Sequence, residues 1–175
     1  MSRQIYNVTK LLQKLKDHTP DTPGKKKFQK LVYLVENVGN VSLGFDYEIY
    51  FYGPYSSELD NVLAALAGEG LIHYDYQDYS HLICIDEVDE SNEGSDFFQS
   101  DLTDDELKVI DNIFSDFADK SPAELELLTT AHFAFKNIQD KSAGNIINGV
   151  KKIKGSKYSD DKIKQALIEL HLIKV

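Results

Sequence analysis

The hydrophobic positions of residues 1–40 recur every three to four residues, which predicts two amphipathic helices. The stripe of the first helix is Ile5, Val8, Leu12 and Leu15. Thr22 and Pro23 predict the start of the second helix, with Thr22 as its cap and Pro23 in its first turn. Its stripe is Phe28, Leu31, Val32, Val35 and Val38. Gly39 is expected to end it.

The period then changes from 3.6 to 2. Apolar and polar residues alternate over 45–52, where Phe45, Tyr47, Ile49 and Phe51 are interleaved with Asp46, Glu48, Tyr50 and Tyr52. This alternation is typical of a half-buried strand, so we predict one strand with Phe51 on the same side as Ile49. Gly53-Pro54 is expected to terminate it.

A third helix and a hairpin follow in the sequence. Ser56 or Ser57 is predicted to cap the helix and Gly70 to end it. Two short runs, 71–76 and 79–86, predict a hairpin that turns at Gln77-Asp78 with Tyr76 facing Tyr79. One face of that hairpin would then collect Ile72, Tyr74, His81, Ile83 and Ile85.

The remainder of the chain predicts three or four helices. Their start signals are Thr103 with Glu106, Ser121 with Pro122 and Glu124, and Ser159 before two aspartates. We therefore predict a mainly helical α+β fold with a winged-helix-like core, a small antiparallel sheet and a C-terminal helical part. The expected division is a core over 1–86, an acidic loop over 87–102, and helices over 103–175 that pack on the core as one compact domain.

Charge is distributed unevenly along the 175 residues. The segment from Leu31 to Leu107 contains 18 acidic residues and no lysine or arginine, whereas the rest of the chain has 19 basic and 11 acidic residues. Fields of this kind repel like charge, so phosphate backbones should avoid the middle of the chain. In a winged-helix protein, residues 56–69 would be the helix that enters the DNA groove. This segment contains no basic residue, which argues against DNA recognition by this helix.

The sequence nominates no catalytic or metal site. Cys84 lies in an apolar run, and no histidine is indicated as its base. His73 and His81 fall on opposite faces of the predicted hairpin, so they make a poor metal pair. We therefore predict a protein that is not an enzyme and uses no cofactor or metal.

The cellular location is predicted from the cysteine count, the first twelve residues and the length of the apolar stretches. A single cysteine cannot form an internal disulfide, and the first twelve residues lack the pattern of a secretory signal. The apolar stretches are a few residues long, far short of the roughly 20 residues that cross a bilayer. We expect a cytoplasmic protein without membrane contact.

Tyrosines are concentrated around Gly53-Pro54. Seven of the ten tyrosines lie between Tyr47 and Tyr79, and tyrosine is enriched at protein interfaces because it combines a large rigid area with a hydroxyl. They could instead be structural, packed against neighbouring helices. The predicted partner-binding residues are Tyr50, Tyr52, Gly53, Pro54, Tyr55 and Glu58. Lys30 is predicted to be architectural, through an ion pair with Glu48 or Glu58.

Three segments in order, 30–36, 45–59 and 70–72, resemble a known family. They contain Lys30-Leu31-Val32-Tyr33, then Tyr52-Gly53-Pro54, then Gly70-Leu71-Ile72. The chain resembles the YwgA-like family of bacterial proteins and, more distantly, the Panacea or SocA-like domain. The likeness covers about residues 25–73, with a weaker echo at 125–132. It implies a helical domain with a small sheet and, from the Panacea relatives, antitoxin activity by direct protein contact or adaptor duty toward a protease.

Residues 141–157 contain five lysines and no acid, opposite an apolar stripe. These lysines could offset the acidic middle, in this chain or in a neighbouring subunit, or could contact nucleic acid. Our main hypothesis is a non-enzymatic protein-binding module that meets a toxin or a protease component through the acidic, tyrosine-rich surface. The alternative is a winged-helix-like nucleic-acid-binding regulator that uses its basic flanks. The sequence leaves open whether the protein forms a homo-oligomer.

Overall fold

The computed structural model describes residues 3–77, 80–86 and 100–174. The elements, in chain order, are α1 (Arg3–His18), α2 (Lys25–Asn37), β1 (Glu48–Tyr50), β2 (Gly53–Tyr55), α3 (Ser57–Gly68), β3 (Ile72–Gln77), β4 (Ser80–Ile85), α4 (Asp104–Phe117), α5 (Pro122–Asn137), α6 (Ala143–Lys154) and α7 (Asp160–Glu169). The predicted class, α+β and mainly helical, is confirmed. The strands of the described residues form two antiparallel pairs, β1 with β2 and β3 with β4.

Helix α2 is the central helix. Every residue from Phe28 to Val35 is buried, and α2 contacts α4, α5, β2 and β4. A helix that is buried on all sides is normally apolar throughout, but this one contains Gln29, Lys30 and Tyr33. Because buried polar groups must find hydrogen-bond partners, these three side chains determine much of what surrounds them.

One hydrophobic cluster contains residues from both sides of the acidic segment. Leu31 and Leu63 come from the first part, and Phe114, Leu128 and Leu167 from the second; all five are 0–2% exposed. Helices α4 and α5 contact α2 directly. The C-terminal helices thus bury their apolar faces against the same interior as α1–α3. Most of the predicted acidic loop, residues 87–99, lies outside the described residues.

The predicted helix caps are mostly confirmed. Ser56, Thr103, Ser121 and Ser159 each accept a hydrogen bond from the backbone of their helix, and Thr103 and Ser121 form full capping boxes. The predicted start of the second helix is wrong. Helix α2 begins at Lys25 after Gly24.

The reason for that later start is a contact with the second hairpin. The carbonyl of Pro23 accepts from the amide of Ile83 at 2.9 Å, and Gly24 forms a bridge with Leu82. Residues 23–24 therefore pair with β4 instead of entering the helix.

The single strand predicted over 45–52 is also wrong. The Glu36 carboxylate accepts from the amides of Leu43, Gly44 and Phe45, at 2.9, 2.6 and 3.2 Å, so these amides are unavailable for pairing. The chain pairs only from Glu48, turns at residues 51–52 and returns as β2. Gly53-Pro54, expected to end a strand, begins one.

The second hairpin has the predicted faces but a different register. Tyr76 pairs with His81, not with Tyr79, which lies outside the described residues along with Asp78. Because the register differs by two residues, each side chain keeps its face. Ile72 and Ile83 are buried on that face, and His73 and His81 lie on opposite faces as predicted.

Within residues 3–77, 80–86 and 100–174, no helix combines the length and the apolar character required to span a membrane.

Candidate functional site: an aromatic turn beside a lysine-lined groove

The hairpin of β1 and β2 presents three aromatic side chains to solvent. Residues 50–55, here called the aromatic turn, carry Phe51 at the tip with 91% of its surface exposed, between Tyr50 at 56% and Tyr52 at 53%. Tyr55 is half-buried, and its ring centroid lies 5.3 Å from that of Tyr50. Isolated exposed aromatics are ordinary, whereas this turn exposes three in succession.

Gly53 allows this turn to lie against α5. Its φ is +94°, a conformation that side chains disfavour, and an added Cβ would lie 3.0 Å from the Thr130 hydroxyl and 3.5 Å from that of Thr129. Both threonines are buried. Glycine is therefore required for the backbone conformation and for the close approach to α5.

Two lysines hold the carbonyls of the aromatic turn. Lys30, 4% exposed, donates to the Pro54 carbonyl at 2.6 Å, and Lys154 from α6 donates to the Phe51 carbonyl at 2.5 Å. Gln29 adds a paired contact beyond the turn, because its amide both donates to and accepts from the backbone of Ser56. Burial, with Lys154 nearby, lowers the pKa of Lys30 to about 8.

Glu126 on α5 balances this positive charge. Its buried carboxylate lies 2.9 Å from the ammonium of Lys154, whose side chain is only 4% exposed, and 2.7 Å from that of Lys157. Burial would raise the pKa of Glu126, but the hydrogen bonds from Lys157 and Lys154 outweigh it and lower that pKa. The carboxylate therefore stays charged and connects α5, α6 and the aromatic turn.

The predicted ion pair of Lys30 with Glu48 or Glu58 is wrong. The Lys30 ammonium binds a backbone carbonyl, and the Glu58 carboxylate accepts from the Asp46 amide at 2.9 Å. Lys30 sits inside the fold, whereas Glu48 and Glu58 are exposed. Periodicity in the sequence could not indicate that the lysine would be enclosed by α5 and β2.

Tyr33, the third buried polar residue of α2, reaches α5. Its hydroxyl lies 2.9 Å from Nδ1 of His132. Burial lowers the pKa of His132 to about 4 and raises that of Tyr33. At neutral pH the imidazole is therefore uncharged, and its Nδ1 shares a hydrogen bond with the Tyr33 hydroxyl.

A groove of about 830 Å³ runs beside the aromatic turn, between the start of α2 and the hairpin β3–β4. This is the size range of ligand-binding clefts. Four lysines line this lysine groove: Lys25, Lys26, Lys27 and Lys30. Tyr50, Phe51, Tyr52, Gly53 and Tyr55 form its aromatic side, and Gln77, Ser80, His81 and Leu82 come from the hairpin.

The predicted site residues occupy different positions. Tyr50, Tyr52, Gly53 and Tyr55 all line the lysine groove. Pro54 is buried, with its carbonyl bound to Lys30, and Glu58 faces the loop before β1.

The sequence reasoning missed Phe51, the most exposed large hydrophobic residue of the described chain, because strand alternation assigned it to the inner face. A turn placed two residues before Gly53-Pro54 would have exposed it. It also missed the lysines of α2, since nothing in the linear sequence indicates that residues 25–27 would face the tyrosines.

The segments that carry the family likeness meet in space. Lys30 of the first segment binds Pro54 of the second, Tyr33 binds His132 of the echo, and Gly53 packs against α5 between them. The model of the family described as antitoxin SocA-like, Panacea domain, matches residues 28–134, more than half of the chain. The protein belongs to this family.

A relative is similar over almost the whole length. The Bacillus subtilis (strain 168) protein named "Uncharacterized protein YwgA" is 25% identical over 166 residues, which covers 89% of this chain and 90% of the relative. The likeness thus extends beyond the family match on both sides.

Proposed function

We propose that this protein is a non-enzymatic protein-binding module with an antitoxin-like or protease-adaptor-like role, and that the aromatic turn is its contact surface. The supporting observation is the exposure of Phe51 at the tip of a hairpin whose carbonyls are fixed by two lysines. Membership of an antitoxin-like family supports a protein partner such as a toxin.

A fixed aromatic turn suits binding for two reasons. Tyrosine and phenylalanine bury large areas, and a few such anchors provide most of the free energy of typical interfaces. Because Lys30 and Lys154 already hold the backbone, little conformational entropy is lost when a partner closes over the rings.

The test is affinity capture of the tagged, full-length protein from its host after nuclease treatment. We expect the wild type to retain one stoichiometric protein partner and the variant Phe51→Ala/Tyr52→Ala to lose it. Both rings are exposed, so this variant should keep the circular dichroism spectrum of the wild type. Tyr76→Ala is the matched control, because Tyr76 is 72% exposed but lies on the other hairpin.

Capture of the same partner by Phe51→Ala/Tyr52→Ala would place the contact elsewhere. Loss of all partners on nuclease treatment would favour the nucleic-acid alternative.

The behaviour of the captured partner also distinguishes an antitoxin from a protease adaptor. A partner that arrests growth when produced alone, but not together with this protein, indicates an antitoxin. A partner whose degradation becomes faster in the presence of this protein indicates an adaptor. A partner that shows neither behaviour would contradict both finer assignments.

A further inference from the structure

The lysine groove has a local charge opposite to that of the whole molecule. The chain carries a net charge of −10, yet four lysines line the groove against two acidic residues, Asp21 and Asp60. Lys25 pairs with Asp60 at 2.6 Å and Lys30 is committed to Pro54. Lys26 and Lys27 form no ion pair within the described residues.

Lys26 and Lys27 also lie at the N-terminus of a helix, where positive charge is unfavourable. Lys25, Lys26 and Lys27 occupy the first turn of α2, which contains no acidic residue. The helix dipole favours anions at that end, so the lysines work against helix stability. A role in binding an anion would explain their position.

The aromatic side of the lysine groove offers flat rings and hydroxyl donors. The Lys26 ammonium lies 3.7 Å from the centre of the Tyr52 ring, a cation–π contact that positions the charge at the edge of the turn. Burial, followed by a hydrogen bond with Asp60, raises the pKa of Tyr55 to about 12, so this hydroxyl stays protonated and bound to Asp60. Exposed tyrosine hydroxyls and lysine ammonium groups are both donors to carboxylates.

We propose that the lysine groove binds a short acidic segment of the partner protein, with carboxylates on Lys26 and Lys27 and an apolar side chain against the rings of Phe51 and Tyr52. This inference rests on the proposed function and names the chemistry of the partner. Charge complementarity of this kind selects partners and accelerates association.

A peptide fits these observations better than a nucleic acid. The Debye length is about 8 Å at physiological salt, so a short acidic segment responds mainly to the lysines within the groove. A long polyanion would extend over the rest of a molecule that is strongly negative and would be repelled there.

The test is fluorescence anisotropy of the full-length protein with a fluorescein-labelled peptide in which glutamates flank one phenylalanine. The matched probe has glutamine in place of every glutamate. We expect the glutamate peptide to bind at least about tenfold more tightly at low salt, a difference of about 1.4 kcal/mol. Lys26→Glu/Lys27→Glu should remove that preference. The control, Lys162→Glu/Lys164→Glu, reverses two exposed lysines on α7 and should leave it unchanged.

The variant also has an internal check on folding. Since acidic residues suit the first turn of a helix, Lys26→Glu/Lys27→Glu should keep or raise the melting temperature while it loses peptide binding. Equal affinity for both peptides, no binding up to about 1 mM, or an equal loss in the α7 control would overturn the inference. Displacement of the glutamate peptide by a single-stranded oligonucleotide at lower concentration would overturn the choice of a peptide.

Failure of this inference can be separated from failure of the proposed function. If Lys26→Glu/Lys27→Glu captures the host partner as well as the wild type does, while Phe51→Ala/Tyr52→Ala does not, the aromatic turn binds and the lysines do not. If no host protein is captured but the lysine-dependent peptide preference is present, the groove chemistry holds and the proposed function fails.

Discussion

At the scale of single residues, the polar side chains of α2 determine the interior chemistry. Gln29, Lys30 and Tyr33 are buried in an otherwise apolar environment, and each one finds a partner on another element. The cost of leaving a buried polar group unpaired makes these contacts specific. They determine which segments lie beside α2.

The buried His132 makes the stability of the protein depend on pH. Its pKa is about 4 in the folded protein and about 6.5 when unfolded, so between these values the unfolded state binds more protons. Its contribution to stability is therefore present above pH 6.5 and is lost as the pH falls toward 4, by at most about 1.4 kcal/mol per pH unit. Urea unfolding of His132→Gln should show a shallower loss over this range than the wild type. The exposed His171→Gln should match the wild type, and equal slopes for His132→Gln and wild type would contradict the assignment.

At the scale of elements, the first hairpin depends on one glycine. Gly53→Ala would impose a side chain at φ +94° and press a methyl group against Thr130. We expect a loss of about 1–3 kcal/mol in the free energy of unfolding. The control is Gly144→Ala on α6, where an added Cβ meets nothing within 4 Å and helix propensity should make the change neutral or stabilising. A Gly53→Ala variant as stable as the wild type would show that the turn can shift away from α5.

Glu126 links α5, α6 and the aromatic turn through its ion pairs with Lys154 and Lys157. Glu126→Gln would leave the buried Lys154 ammonium without its carboxylate, so we expect chemical denaturation to show a loss of about 3–5 kcal/mol. Adding Lys154→Met should restore part of that loss because it removes the uncompensated charge. Glu169→Gln, which breaks a more exposed pair with Lys120, should cost less than about 1 kcal/mol. Strict additivity of Glu126→Gln and Lys154→Met would refute the coupling.

At the scale of the whole molecule, the acidic middle and the basic flanks meet. Lysines from α2 and α6, on either side of the acidic run, surround the aromatic turn, and Lys25 of α2 pairs with Asp60 inside that run. The net charge of a segment therefore does not give the charge of the surface it forms. The tyrosines of an acidic segment lie beside a basic groove.

A single interior also predicts cooperative unfolding. We propose that residues 1–86 and 103–175 unfold as one unit, because α2 packs on both α4 and α5 within one hydrophobic cluster. Helix content from far-ultraviolet circular dichroism and tyrosine environment from the near-ultraviolet signal should then change at the same denaturant concentration. Val150→Ala, a core change in α6, should shift both midpoints equally. Separate midpoints would show two independent units.

The sequence by itself determined the helices, the caps other than that of α2, and the faces of the second hairpin. These features depend on local signals: Ser121 with Glu124 forms a capping box wherever a helix begins there, and a period of two keeps Ile72 and Ile83 on one face even when the register shifts. It also identified the tyrosines beside Gly53-Pro54. Only the tertiary structure decided where Phe51 points, that Lys30 binds a carbonyl instead of an acid, and that four lysines of α2 line a groove beside the aromatic turn. Each of these depends on contacts between residues far apart in the chain, and such contacts leave no periodic trace in the sequence.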